Sequence, residues 1–213
     1  MAYVVLAVAL GIAVGFARRG RISNLGAWTF RSSWLLLIGV VLQAVTEIFH
    51  LPNTPDVAAV LVSYAALALF ALRNLGLAGM GVVAIGLVLN IIPIAVNQGM
   101  PVRASAIVES GIASNRAGVA GLRYGGKRHL ATSDDHLMVL SDILPDPLFH
   151  EVLSFGDLAM AVGIAAVVAN LLLPARRRRS LPPQHRARVG EGGSGDTGSD
   201  SDVARFAIAG RGG

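Results

Sequence analysis

The chain has no cysteine, one lysine (Lys127) and few charged residues of either sign. Without cysteine there can be no disulfide, thiolate metal site or cysteine nucleophile, and the redox compartment is left open. Only 15% of residues are charged, against about 25% in an average soluble domain. Arginine outnumbers lysine seventeen to one, and Ala, Gly and Val are abundant, which points to a GC-rich bacterial genome. No HExxH motif, EF-hand loop or internal repeat is present.

Apolar residues are in excess. They make up 54% of the chain, mean hydropathy is +0.61, and they fall in blocks of roughly 17 to 22 residues. Such blocks match the thickness of a hydrocarbon core, and helices satisfy their own backbone there. The expected fold is therefore all-α: an integral membrane bundle of about five transmembrane helices over 1–16, 34–51, 55–72, 75–96 and 155–173. Residues 1–173 would form this domain, with an extracytoplasmic segment at 97–154 and a tail at 174–213.

The first apolar block has no basic residue before it and Arg18, Arg19 and Arg21 after it. That order is the reverse of a secretory signal. With the N-terminus outside and the C-terminus cytoplasmic, thirteen of the eighteen basic residues fall on the cytoplasmic side, as the positive-inside rule requires. The expected location is a bacterial plasma membrane, crossed several times. The tail, rich in Arg, Pro, Gly, Ser and Asp, lacks an apolar period and is expected to be disordered. Arg176, Arg177, Arg178 and Arg179 are expected at lipid headgroups. No nucleic-acid partner is expected, because no aromatic platform accompanies them.

The fourth block leaves through "LNIIPIAVNQGMPVRAS". Pro93 lacks an N–H and crowds the carbonyl of Leu89, which loosens the helix. Asn97 and Gly99 end it, and Pro101 starts an extended stretch. Asn90 and Asn97 are seven apart and share a face. Gln43, Glu47 and His50 share a face of the second block. Acids within membrane blocks are functional candidates by default, and Glu47 and Asp157 are two such acids. Asp157 also has a structural reading: Ser154 lies three residues before it, at capping-box spacing, with the carboxylate in the first helical turn. The candidate polar site is Gln43, Glu47, His50, Asn90, Asn97, Asp142 and Asp157.

In the outer segment, "ATSDDHLMVLSDILPDP" reads as a short amphipathic helix, capped at Thr132 or Ser133, with Leu137, Leu140 and Leu144 on one face and Pro145 as the stop. Eight potential ligands crowd the region, among them His129, Asp135 and His136. Their spacing matches no metal motif, so no metal and no cofactor is assigned. Small residues at intervals of four suit close helix contact: Ala7, Gly11 and Gly15 in the first block, Ala159 with Gly163, and Ala161, Ala165 and Ala169 in the last.

Three fragments, "NQGMPV" (97–102), "LSDILPDP" (140–147) and "SFGD" (154–157), together resemble a family of small bacterial, actinobacterial-type membrane proteins catalogued as a domain of unknown function. The resemblance implies a multi-spanning fold over residues 1–173 and brings no activity. It singles out Asn97, Met100, Pro101, Asp142, Ser154, Gly156 and Asp157. The leading functional expectation is a non-catalytic binding or interaction protein whose partners are membrane lipids and an envelope or membrane protein. A small transporter or channel is the alternative, and an enzyme acting on lipid or cell-envelope substrate a third class.

Overall fold

A computed structural model describes residues 2–49, 54–122, 124 and 127–174, the side chains of 47–49 and 54–56 excepted. The chain divides into two compact units, Met1–Arg176 and Arg177–Gly213; the described residues all belong to the first. The tail arginines Arg176 to Arg179 lie outside the described residues, as does His50.

Five long helices occupy the apolar blocks: α1 (Ala2–Ala17), α2 (Ser33–Phe49), α3 (Thr54–Arg73), α4 (Met80–Val96) and α7 (Phe155–Leu171). Between α4 and α7 lie two short helices, α5 (Ala104–Glu109) and α6 (Arg116–Ala120), and four three-residue strands. Strands β1 (Met100–Val102) and β2 (Arg128–Leu130) pair in parallel. Strands β3 (Leu144–Asp146) and β4 (Glu151–Leu153) pair antiparallel. A single bridge from Val102 to Asp142 ties the stretch before β3 to β1.

The expectation of an all-α membrane bundle is corrected on two counts. First, among the described residues no helix is long and apolar enough to cross a membrane. Helices α1, α2, α4 and α7 have 16 or 17 residues, which is about 24–26 Å at 1.5 Å per residue, short of a core of about 30 Å. Apolar blocks overstate helix length because their ends turn. Leu75 to Gly79 are mostly apolar, yet they form the turn into α4, whose N-cap Gly79 has φ 104°. Helix α3 has 20 residues but opens on Thr54-Pro55-Asp56 and closes on Arg73.

Second, the stretch after β2 is not an amphipathic helix. The Asp135 carboxylate accepts from both the backbone N–H (2.7 Å) and the hydroxyl (3.1 Å) of Thr132 and closes a turn. Leu137 then takes a left-handed conformation, φ 57°, which a continuing α-helix cannot contain. Only a 3-10 turn, Met138–Leu140, remains before β3.

The long helices pack in the row α2–α3–α4–α7–α1. Small residues set the spacing. The buried residues of α1 are Ala7, Gly11 and Gly15, and a Cβ on Gly11 would collide with the Ala165 carbonyl of α7. Gly163 makes the same close approach to Val83 of α4. One apolar cluster joins Leu35, Phe70, Leu77, Met80 and Val167. A second lies under the short elements: Val102, Ala106, Ile107, Val119 and Val152. Val60, Ile94 and Met100 link α3 and α4 to β1.

The row has two unlike ends. At one, the last carbonyls of α7 are satisfied by the segment after α1. Arg21 N–H and Asn24 Nδ2 donate to Leu172 O, and Trp28 Nε1 donates to Leu171 O. Asn74 closes α3 there by accepting from Arg31 N–H and donating to Arg31 O and Phe70 O. At the other end, the N-termini of α1 and α7 and the C-terminus of α4 meet beneath the strands.

Candidate functional site

Ser154 and Asp157 form the capping box expected from "SFGD". Ser154 Oγ accepts from Asp157 N–H at 3.0 Å, and Asp157 Oδ2 accepts from Ser154 N–H at 3.1 Å. The carboxylate does more than cap. Its Oδ1 accepts from Asn90 Nδ2 at 2.9 Å and from the Tyr3 hydroxyl at 3.3 Å, so one acid joins α7, α4 and α1. Ser154 Oγ in turn donates to Asn90 Oδ1 at 2.8 Å. The residue between them has to be glycine: a Cβ on Gly156 would overlap Asn90 Oδ1. Burial, then the charge of Asp157, holds the Tyr3 and Tyr64 hydroxyls above their ordinary pKa, so both stay protonated donors.

Beside this network lies a second, less satisfied one. Asp142 is 1% exposed. Its main chain is fixed by Arg103 N–H donating to its carbonyl (3.0 Å) and its own N–H donating to Pro101 O (3.1 Å). Its Oδ2 lies 2.8 Å from Nε of Arg128, the first residue of β2. Apart from that ion pair, neither carboxylate oxygen has a hydrogen-bond partner among the described residues, and neither has the buried hydroxyl of Ser141. Burial pushes the Asp142 carboxyl up to about 7. The Arg128 charge opposes this and the Asp157 charge adds to it. Burial alone would lower the Arg128 pKa, but Asp142, Asp157 and the two tyrosines outweigh it and raise the value, so the guanidinium is charged. Its side chain is 41% exposed, and Nε is the donor committed to Asp142.

The helix exit is pinned as well. Asn97 caps α4, its Nδ2 donating to Pro93 O. The same amide exchanges two bonds with the backbone of His136: Oδ1 accepts from His136 N–H (2.8 Å) and Nδ2 donates to His136 O (2.9 Å). Gln98 (φ 54°) and Gly99 (φ 153°) then reverse the chain into β1. Pro93 and Pro101 are fully buried.

The structure thus brings Asn90, Ser154, Gly156 and Asp157 together, with Asp142 beside them. Gln43 stays apart: it lies on α2, which packs on α3, and its side chain joins no bond of the cluster. Glu47 lies in the last turn of α2, its side chain outside the described residues. Sequence reading missed Tyr3, Tyr64, Ser141 and Arg128. A tyrosine inside an apolar block signals a buried hydroxyl seeking an acceptor, which marks Tyr3 and Tyr64. No periodicity relates Arg128 to Asp142. Of the cation candidates, His129 Nε2 lies 2.9 Å from Asp135 Oδ1, while His136 meets Asn97 through its backbone. Burial raises the Asp135 pKa, but the Thr132 N–H and the His129 ring outweigh it and hold it low. Among the described residues, no three His, Cys, Asp or Glu side chains gather to hold a metal.

Residues 27–169 match a family described as a family of unknown function (DUF5317), and the chain belongs to that family. No curated protein and no solved structure matches the chain.

Proposed function

We propose that this member of the DUF5317 family is a binding protein that recognises an anionic group through Arg128. The observation that carries the reading is the division of labour on that guanidinium. Nε faces a buried carboxylate, no acceptor is found for the terminal nitrogens among the described residues, and the side chain is partly exposed. A guanidinium presents paired donors that match carboxylate or phosphate oxygens. Held by Asp142 and β2, it loses little freedom on engaging a ligand.

The cluster's other groups favour binding over catalysis. A serine nucleophile needs a base at its hydroxyl. Ser154 Oγ instead donates to the Asn90 amide oxygen and accepts from a backbone N–H. Asp157 accepts three bonds, from α1, α4 and its own helix cap, which suit an anchoring role.

The test is side-chain nitrogen NMR of the arginines during titration with acetate and, separately, inorganic phosphate. Saturable movement of the Arg128 terminal-nitrogen signals, absent in Arg128→Gln, is expected. Signals that do not move, or move equally for all exposed arginines, would refute the reading.

A further inference from the structure

Asp142 and Arg128 meet through one contact, Oδ2 to Nε at 2.8 Å, and Oδ1 has no donor among the described residues. The carboxylate is buried, so water does not solvate its charge. A buried charge persists only where a counter-charge compensates it. Here the guanidinium supplies most of that compensation, and Lys127 adds a smaller share. The same guanidinium is also the group partly open to the surroundings. Whatever draws on its charge from outside therefore weakens the hold on the carboxylate inside.

Other charged and titratable groups face the pair from each neighbouring element. Tyr3 of α1 and Tyr64 of α3 stay protonated. Asp157 of α7 accepts three bonds, and its charge disfavours a second ionised carboxylate. Glu151 of β4 acts on Arg128 and accepts from Ala2 N–H. His129, next on β2, pairs with Asp135, and the Arg103 side chain is exposed. Asp142 is thus the acid that touches the guanidinium and keeps an oxygen, Oδ1, with no donor. An anion at the terminal nitrogens would face its negative charge, and a proton on Oδ1 removes that opposition while Oδ2 still faces Nε.

We propose that the Arg128 site takes up a singly charged anion together with one proton, the anion at the terminal guanidinium nitrogens and the proton on the Asp142 carboxylate. The inference rests on the reading of Arg128 as an anion-binding residue. The proton comes from solvent, and no covalent bond of the anion changes. One guanidinium released from its carboxylate offers one charge, which a monoanion answers. Burial already pushes the Asp142 carboxyl up to about 7, so little further change is needed to protonate it near neutrality. By linkage, the proton must tighten the anion as much as the anion tightens the proton.

The probe is formate, which stays ionised above about pH 6 and so carries no proton itself. Carbon-detected NMR of the full chain follows the Arg128 guanidinium and the Asp142 carboxyl carbon together. The half-saturation concentration at Arg128 should rise at least threefold from pH 6 to pH 8, with about tenfold as the limit for one proton. The Asp142 titration midpoint should move up saturably, over the same formate concentrations that move the Arg128 signals. In Asp142→Asn the half-saturation concentration should be the same at both pH values. Saturable binding that is equal at pH 6 and pH 8, with the Asp142 midpoint fixed, would overturn the coupling and leave the anion-binding reading standing. A pH dependence that survives in Asp142→Asn would place the proton elsewhere and overturn it too. Arg128 signals unmoved by formate at either pH would overturn both.

Discussion

At Asp142 a carboxylate with almost no exposed surface meets a single guanidinium, and its second oxygen meets nothing. Burial raises its pKa to about 7, above the ordinary value of 3.8. The sign of the consequence follows from proton counting. Between those two values the folded chain holds a proton that the unfolded chain has released, so stability falls as pH rises. The contribution is complete below about pH 3.8 and lost once pH passes about 7. Asp142→Asn imitates the protonated form. It should flatten the stability profile between about pH 4 and pH 7, removing a slope that approaches about 1.4 kcal/mol per pH unit for one proton. Urea midpoints at four pH values would show this, and a slope unchanged in the variant would assign the pH dependence elsewhere. Such a pair could not be read from the sequence. Arg128 and Asp142 are fourteen apart, on elements whose pairing depends on a parallel strand contact.

Helix ends and close contacts were legible where the signal is local. "SFGD" specifies a capping box because a hydroxyl and a carboxylate three residues apart reach each other's backbone N–H whatever surrounds them. The Ala7–Gly11–Gly15 stripe specified the buried side of α1 for the same reason: a helix brings residues four apart onto one face. The Leu137 periodicity misled, because Asp135 satisfies Thr132 in a turn and periodicity carries no record of that competition. Apolar blocks located the long helices but not their ends. At the junction of α4 and α7 the packing also predicts a cost. Gly156→Ala would push Asn90 away from Asp157 and crowd the Gly86 carbonyl. Overpacking of this kind costs about 1–3 kcal/mol. Gly26→Ala, with nothing within 4 Å of the new Cβ, is the control. Equal thermal unfolding of the two variants would mean that the junction yields without strain.

Among the described residues, one end of the helix row carries arginines alone, while the strand-bearing part mixes acids with Arg103, Arg116, Lys127 and Arg128. Arg18, Arg19, Arg21, Arg31 and Arg73 gather at the end where α1 and α3 finish, and the described acids from Asp134 to Asp157 belong to the opposite, strand-bearing part or the turns beside it. The sides between carry exposed Leu6, Leu10, Leu37, Val40 and Ile85. Apolar patches this extensive mark contact surfaces, and an arginine-rich rim selects anionic ones. Full-length protein should therefore co-sediment with vesicles containing anionic phospholipid more than with neutral ones. The preference should shrink between 0.1 M and 1 M salt, as the screening length falls from about 10 Å to about 3 Å. Replacing Arg18, Arg19 and Arg21 together by Gln should weaken the preference at low salt and leave binding to neutral vesicles unchanged, because the apolar flanks are untouched. Equal binding to both vesicle types at low salt would show that the apolar sides act alone and that the arginine end has another partner.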